Sequence, residues 1–387
     1  MFNDSFSVYL LIGLVFALSA GASVLIVLTQ HHHGKLTHDS QHGVQKFHVS
    51  PTPRVGGVAM VVALITGWLL LENGVRQLFG LMLLAGIPAF VAGFIEDLTN
   101  KVSVGKRLLA TMLSGLIASL LMGYRLTSVN IPGLDLLLSV FPVVSVAFTA
   151  FAVSGVANAV NIIDGFNGLA SGVMIIGFSI FCILAYMVGD AELAMICMLQ
   201  IAVLAGFLIV NYPFGKLFMG DGGAYFMGFM LAWTAVMLHV RNPQVSVWAP
   251  LLVCAYPITE TLFSIVRRYR KRLSPGDADS EHLHSLIKVK IVRRYFFQLP
   301  SYQKNSLVAP FCWLLALLYA IPALYFYQDT QKLVLMFIGS TLVYGALYSW
   351  IAQMDDAEVP LTGKACAKRR MSTEAQIESK ISYKKSA

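Results

Sequence analysis

Charge is scarce in this chain: Asp, Glu, Lys and Arg make up 12% of its 387 residues, where a water-soluble domain carries about 25%. So little charge cannot cover a surface in water, and lipid must be part of the solvent. Cysteine is scarce too. Of the five, Cys182, Cys197, Cys254 and Cys312 fall inside apolar runs and Cys366 lies near the C-terminus. No spacing among them suits a metal site or a disulfide framework, so they read as small apolar fillers. The first apolar run has no basic segment before it and no A-x-A-like site after it, which predicts a retained helix rather than a signal peptide. No internal repeat is visible.

What the chain has instead is hydrophobic length, 57% of its residues. Runs long enough to span a bilayer occur at about 7–29, 55–72, 78–95, 107–124, 139–157, 168–188, 191–211, 222–240, 246–266, 307–327 and 331–353. This predicts an all-α polytopic membrane protein of about eleven transmembrane helices. Residues 1–353 form one transmembrane domain, followed by a disordered cytosolic tail, 354–387. Alternating Leu, Val and Ile around Pro132-Gly133 suggest a small outer-face β-hairpin at 125–138. On one side of these spans lie only Arg76, Arg125, Arg241 and Lys332, while the remaining 24 of 28 basic residues fall on the other. By the positive-inside rule that side is cytosolic, with the N-terminus outside and the C-terminus inside. The net charge of +8 then reflects topology, with attraction of anionic partners as the sharper reading. The cytosolic loops within the domain are 30–54, 96–106, 158–167, 212–221 and 267–306.

Those loops hold polar residues that folding alone does not require. Glu96 and Asp97 end a helix, where the helix dipole disfavours negative charge, and Lys106 or a divalent metal could relieve them. Asn158, Asn161, Asp164 and Asn167 recur every three residues across the end of the fifth run, with Gly165 and Gly168 beside them. Asp221 opens the eighth run between glycines. A solvated acidic turn, and N-caps at Asn167 and Asp221, are the simpler readings. Asp97, Asn161, Asp164 and Asp221 make a suitable Mg²⁺ set only if their loops converge. His282 and His284 could bind phosphate or metal. Glu260 lies inside the ninth run and marks a functional site by default, with Arg267 as its expected charge partner. His31, His32, His33, His38, His42 and His48 have no acidic or cysteine partner at ligand spacing, which argues against a metal site there.

Together these loops resemble the polyprenyl-phosphate N-acetylhexosamine-1-phosphate transferases, glycosyl transferase family 4. The resemblance covers about residues 48–300. Pro51-Thr52-Pro53-Arg54 with Gly56-Gly57 is similar to the family's segment before its second helix. Glu96-Asp97 with Lys106 is similar to its acidic pair and lysine. Asn158-x-x-Asn161-x-x-Asp164-Gly165-Phe166-Asn167-Gly168 is similar to its most specific signature, Phe218-x-Gly220-Asp221 to its G-D element, and His282-x-His284 to its histidine motif.

The resemblance implies transfer of a sugar-1-phosphate from a UDP-N-acetyl sugar to undecaprenyl phosphate, with release of UMP, in the bacterial inner membrane. The product would be the first lipid-linked intermediate of a cell-surface polysaccharide such as O-antigen or exopolysaccharide. It implies Mg²⁺, with Mn²⁺ as the alternative, on Asp221 and Asn161. Asp97, Asp164 and Glu96 become the catalytic candidates. Lys106, Asn167, His282, His284, Asn158 and Arg54 become the substrate-binding ones, Asn167 near the uracil. Membrane lipid is a partner, nucleic acid is not, and a homodimer stays open. Glu96 and Ala224 depart from the family's usual Asp and Ser. Asn167 in place of an aspartate, and the lack of a triple-histidine run, favour UDP-GlcNAc or a relative over the alternative, a phospho-N-acetylmuramoyl-pentapeptide transferase. A transporter is the rival from another class, but transporters keep their polar residues near the midplane rather than in the loops.

Overall fold

The computed structural model describes residues 5–37, 52–272 and 281–355. Helices are the regular elements among them, and none of the described residues forms a strand. The first four are α1 (Ser5–Thr37), α2 (Gly56–Leu69), α3 (Asn73–Thr99) and α4 (Val104–Met122). A short α5 (Leu134–Val140) leads into α6 (Pro142–Ile163), α7 (Leu169–Met187), α8 (Ala191–Asn211) and α9 (Gly220–Arg241). A broken pair follows, α10 (Trp248–Val253) and α11 (Ala255–Arg270). Then come α12 (Leu283–Leu286), a π-helical turn (Ile287–Val292), α13 (Arg293–Tyr295), α14 (Ser301–Ser306), α15 (Val308–Phe326) and α16 (Thr330–Gln353).

Each of the eleven apolar runs coincides with helix, but they are not equal in length. Among the described residues, nine helices are long and apolar enough to cross a membrane. The second run is only the 14-residue α2, and the ninth is interrupted at Cys254, between α10 and α11. The chain is a multi-pass membrane protein. Apolar side chains such as Leu120, Leu314, Leu342 and Tyr186 face outward, as lipid-facing surface should.

The bundle is built around α9, whose apolar window is 83% buried, against 22% for α1 and 17% for α16 at the periphery. Missing side chains let its neighbours in. A Cβ on Gly93 of α3 would fall 2.5 Å from the Asp221 carbonyl, so only glycine lets α3 lie against the first turn of α9.

The polar residues separate to the two ends. At one end, Arg241 donates to both oxygens of Asp190 (2.7 and 2.9 Å), to Glu192 (2.9 Å) and to the Tyr124 hydroxyl (3.2 Å). Asp190 also caps α8 through the Leu193 N–H. Arg76, Arg125 and Lys332 belong to this same end of the helices. The expected hairpin at 125–138 is not formed. The Leu126 N–H is taken by Thr149 and its carbonyl by Ser145, both on α6. The Val129 N–H goes to Asp135, and its carbonyl to the Trp248 indole. With its backbone groups bonded to side chains, the segment has no ladder to offer a second strand, and it closes as α5.

Burial works against charge on Asp190, yet Arg241, the Leu193 N–H and Asn242 together hold its carboxyl below the ordinary value. A lowered carboxylate pKa adds stability above the unfolded value of 3.8, and that stability is lost as pH falls through the folded one. Arg241→Ala leaves the Asp190 carboxylate, 5% exposed, short of its main donor. Breaking a buried pair costs about 3 kcal/mol, and less here because the arginine is partly exposed. The variant is expected to melt several degrees lower in detergent at pH 7, with the deficit shrinking below pH 4. An unchanged melting curve would show that the pair is not structural.

Candidate functional site

The opposite end gathers the loop residues. α3 ends with Asn100 in the left-handed region, φ 54°. Asp97, one turn back, is 2% exposed. Its Oδ1 accepts the Asp221 N–H and its Oδ2 the Gly222 N–H, both at 2.8 Å. A carboxylate thus sits on the open N–H groups of the first turn of α9, where the helix dipole favours it. Gly220 permits the contact: its φ is +76°, and a Cβ there would strike the Arg54 carbonyl. Arg54 closes the other side. It donates to the carbonyls of Asp97 (3.1 Å) and Glu96 (2.9 Å) and to Asn100 (2.6 Å), and lies 3.7 Å from the Asp97 carboxylate. Glu96 points away, its Oε2 accepting the Val102 N–H at 2.7 Å. The acidic pair is therefore split, Asp97 inward and Glu96 holding the α3–α4 turn.

Asp221 does not act as an N-cap, because Asp97 serves the backbone donors. Its carboxylate instead faces the space between α4, α6 and α9. There Oδ2 accepts from Arg107 Nη1 and Oδ1 from Asn161 Nδ2 (3.1 Å). Arg107 also lies over the Tyr225 ring, 5.8 Å from its centre. Asp164 ends α6 beside them, half-buried. Burial and the Asp221 charge push its carboxyl up to about 7. Asn158, one turn before Asn161, is tied to α4 through Thr111 (3.0 Å) and to its own helix through the Ser154 carbonyl (2.8 Å). Lys106 is exposed at the start of α4. The cation that reaches Asp221 is the neighbour of Lys106, Arg107, which the motif reading passed over.

Asn167 belongs to a second knot. Its Nδ2 donates to the Pro213 carbonyl at 3.1 Å, which Ser306 on α14 also bonds. The residue that opens α7 is Gly168, φ +76°. Its N–H goes to Asn211 Oδ1 (2.6 Å), and its carbonyl accepts the Trp313 indole (3.1 Å). Asn211 in turn donates to the Leu217 carbonyl at 2.8 Å. Asn167 and Asn211, 4% and 5% exposed, thereby join the 164–168 turn to the 212–217 loop. Sequence reasoning missed Asn211, which lies in an apolar run with no motif around it.

The histidines are folded in rather than left in solvent. His282 and His284 are each 3% exposed and stack with ring centres 5.1 Å apart. His284 meets Phe166 edge-on at 5.5 Å, and Lys288 lies over the same ring, 5.6 Å from its centre. Burial, then Arg293 and Lys304, bring the Lys288 amine down to about 7. Arg267 is not the partner of Glu260. It pairs with Glu281 (3.4 Å) and donates to the Tyr348 hydroxyl (3.1 Å). Glu260 accepts from His282 (3.0 Å), the Leu283 N–H (3.0 Å) and the Tyr344 hydroxyl (2.9 Å). His31 and His33 bond only within α1. His38, His42 and His48 lie outside the described residues, as does the tail from residue 356.

The ends of α3, α4, α6 and α9 thus bring Asp97, Asn161, Asp164, Asp221 and Arg107 to one place, with Asn158 behind and the histidines across the 164–168 turn. Among the described residues no three His, Cys, Asp or Glu side chains stand grouped as a metal cage.

Comparison with known proteins matches the helices that carry most of these residues. The family model of glycosyl transferase family 4 matches residues 79–239. A probable undecaprenyl-phosphate N-acetylglucosaminyl 1-phosphate transferase of Bacillus subtilis is 26% identical over 245 residues, 62% of this chain and 66% of the relative. An undecaprenyl-phosphate alpha-N-acetylglucosaminyl 1-phosphate transferase of Yersinia pestis is 29% identical over 254 residues, covering 63% and 67%. A phospho-N-acetylmuramoyl-pentapeptide-transferase of Streptococcus pneumoniae is 29% identical over 221 residues, covering 54% and 65%. The chain thus spans about two thirds of the length of the curated relatives it matches. Residues 79–239 are a glycosyl transferase family 4 region, and the chain is a homologue of these polyprenyl-phosphate sugar-1-phosphate transferases.

Proposed function

We propose that this protein transfers N-acetylhexosamine-1-phosphate from a UDP-N-acetyl sugar to undecaprenyl phosphate and releases UMP. A phosphate oxygen of the lipid forms a bond to the β-phosphorus of the donor. The bond from that phosphorus to the bridging oxygen breaks, and UMP leaves with the bridging oxygen and its electron pair. The observation that carries the reading is the meeting of Asp221, Asn161, Asp164 and Arg107 beside Asp97. Such a reaction crowds several negative oxygens together and needs groups that neutralise and align them.

Mg²⁺ suits this donor set, because it usually takes one or two carboxylates and completes its shell with phosphate oxygens and water. Asp221 would hold it with Asn161, and the ion would supply charge neutralisation on the diphosphate. Arg107, already on Asp221, is the nearest protein cation for the same phosphates. Asp164 is the carboxylate suited to orient the lipid phosphate. With both oxygens occupied by the backbone of α9, Asp97 acts by holding Asp221 in position. Lys106, His282 and His284 are the further groups we assign to the phosphates, and Asn167 with Asn158 frames the nucleotide side. The excess of basic residues at this end supports a cytosolic orientation in the bacterial inner membrane, where a soluble donor meets a lipid acceptor.

Purified protein with undecaprenyl phosphate, Mg²⁺ and a panel of UDP-N-acetyl sugars is expected to release UMP in step with a lipid-linked product, and EDTA should stop it. UDP-GlcNAc or a close relative is the expected donor. Turnover of UDP-MurNAc-pentapeptide alone would favour the pentapeptide transferase, and no UMP with any donor would return the transporter. Arg107→Ala is expected to lower turnover about 10–100-fold, more than Lys106→Ala, since only Arg107 reaches Asp221. The reverse order would sink the role given to Arg107.

A further inference from the structure

Glu260 is the one charged residue of the ninth apolar run that the proposed chemistry leaves unused, and its surroundings are specific. It is fully buried in α11, a turn and more before the basic end of that helix. Two donors converge on it, the Leu283 N–H on Oε1 and the Tyr344 hydroxyl on Oε2, and His282 Nδ1 lies 3.0 Å from Oε1. Donors on both oxygens hold the group as a carboxylate, and a carboxylate can only accept. His282 Nδ1 must therefore carry the proton. In the neutral ring this leaves Nε2 as the lone-pair nitrogen. The ring is held from a second direction by His284, stacked within 9° of parallel. His284 in turn lies on the 164–168 turn: its Nε2 would be 3.6 Å from a Cβ on Gly165, and its ring meets Phe166 edge-on.

We infer that Glu260 is a positioning residue, which fixes the tautomer and pose of His282 and, through the ring stack, sets the histidine pair against the turn that carries Asp164. This rests on the transferase reading above. The carboxylate does three jobs at once. It satisfies the first open N–H of α12, it orients the imidazole, and through Tyr344 it pins α16 to the site. A carboxylate buried among apolar helices is costly unless its donors are supplied, and here the donors come from the two segments whose placement matters.

Two readouts test this. The first is the ¹⁵N spectrum of histidine-labelled protein, with the His282 signals identified by their loss in His282→Gln. In the wild type Nδ1 is expected to be protonated, and in Glu260→Gln the tautomer is expected to become mixed. A neutral wild-type ring protonated at Nε2 overturns the inference, even if the variant does not fold. The second is UMP release. Glu260→Gln keeps the shape and an acceptor oxygen but loses the charge, and it is expected to lower kcat about 10–100-fold with little change in KM, as for other carboxylates that orient a functional histidine. In the His282→Ala background the same change is expected to cost less than about twofold, because the partner it serves is gone. A full additional loss in that background would mean that Glu260 acts elsewhere. Absence of UMP release by the wild type would overturn the transferase reading instead, and leave the tautomer result to stand by itself.

Discussion

Asp221→Ala is expected to lower UMP release by at least about 100-fold, the loss typical when a group that stabilises charge in a transition state is removed. The change takes away the carboxylate that joins Arg107 to Asn161. It also takes away the proposed anchor for Mg²⁺. The fold should survive, for a reason visible in the geometry. Asp97 holds the backbone N–H groups of residues 221 and 222, not the Asp221 side chain, and alanine keeps both. The melting temperature in detergent should therefore stay close to wild type while turnover collapses. Asp221→Asn should be nearly as inactive, since it keeps the shape and loses the charge. Turnover within about threefold of wild type in either variant would remove Asp221 from the chemistry.

The second large effect is expected at Asp97, and its character differs. Asp97→Asn replaces one of two acceptor oxygens by an NH₂ that must face a backbone N–H. A buried donor left against a donor costs about 1–3 kcal/mol. Both stability and turnover should fall, because the first turn of α9 is what aims Asp221. Glu96→Gln should do little: the hydrogen bond its side chain accepts from the Val102 N–H is equally open to an amide oxygen. The expected order is Asp97→Asn well below Glu96→Gln in both melting temperature and rate. The reverse order would mean that Glu96, not its neighbour, is the functional member of the pair.

Much of this arrangement was legible in the sequence because membrane helices are written in long apolar runs: all eleven runs fall on helix, though among the described residues only nine helices are long and apolar enough to span. The motif segments were legible because polar groups and glycines in such loops have few structural reasons to be there. What escaped has a common physical cause: it depends on which side chains meet across the bundle. Lys106 and Arg107 are adjacent, and only the direction of α4 decides that Arg107 reaches Asp221. Arg267 lies two turns from Glu260 along one helix, yet the start of α12 folds His282, from the loop that follows, closer. Alternating residues at 125–138 have the pattern of a strand, but Thr149 and Ser145 of α6 take the hydrogen bonds a partner strand would need. Asn167 and Asp221 were both readable as caps. The caps are made instead by Asn211 and Asp97, from other helices.

The two polar ends have different claims on the protein's fate. Substitutions around Asp190 and Arg241 touch a clamp far from any reacting group, so their cost falls on how much protein persists in the membrane, where losses of about 1–2 kcal/mol already change abundance several-fold. Substitutions of the Asp221 side chain leave abundance alone and act on each molecule's rate. A population of natural variants would therefore sort into two classes distinguishable by an immunoblot. The same total turnover could be lost by either route, but only the first loss would be rescued by making more of the protein.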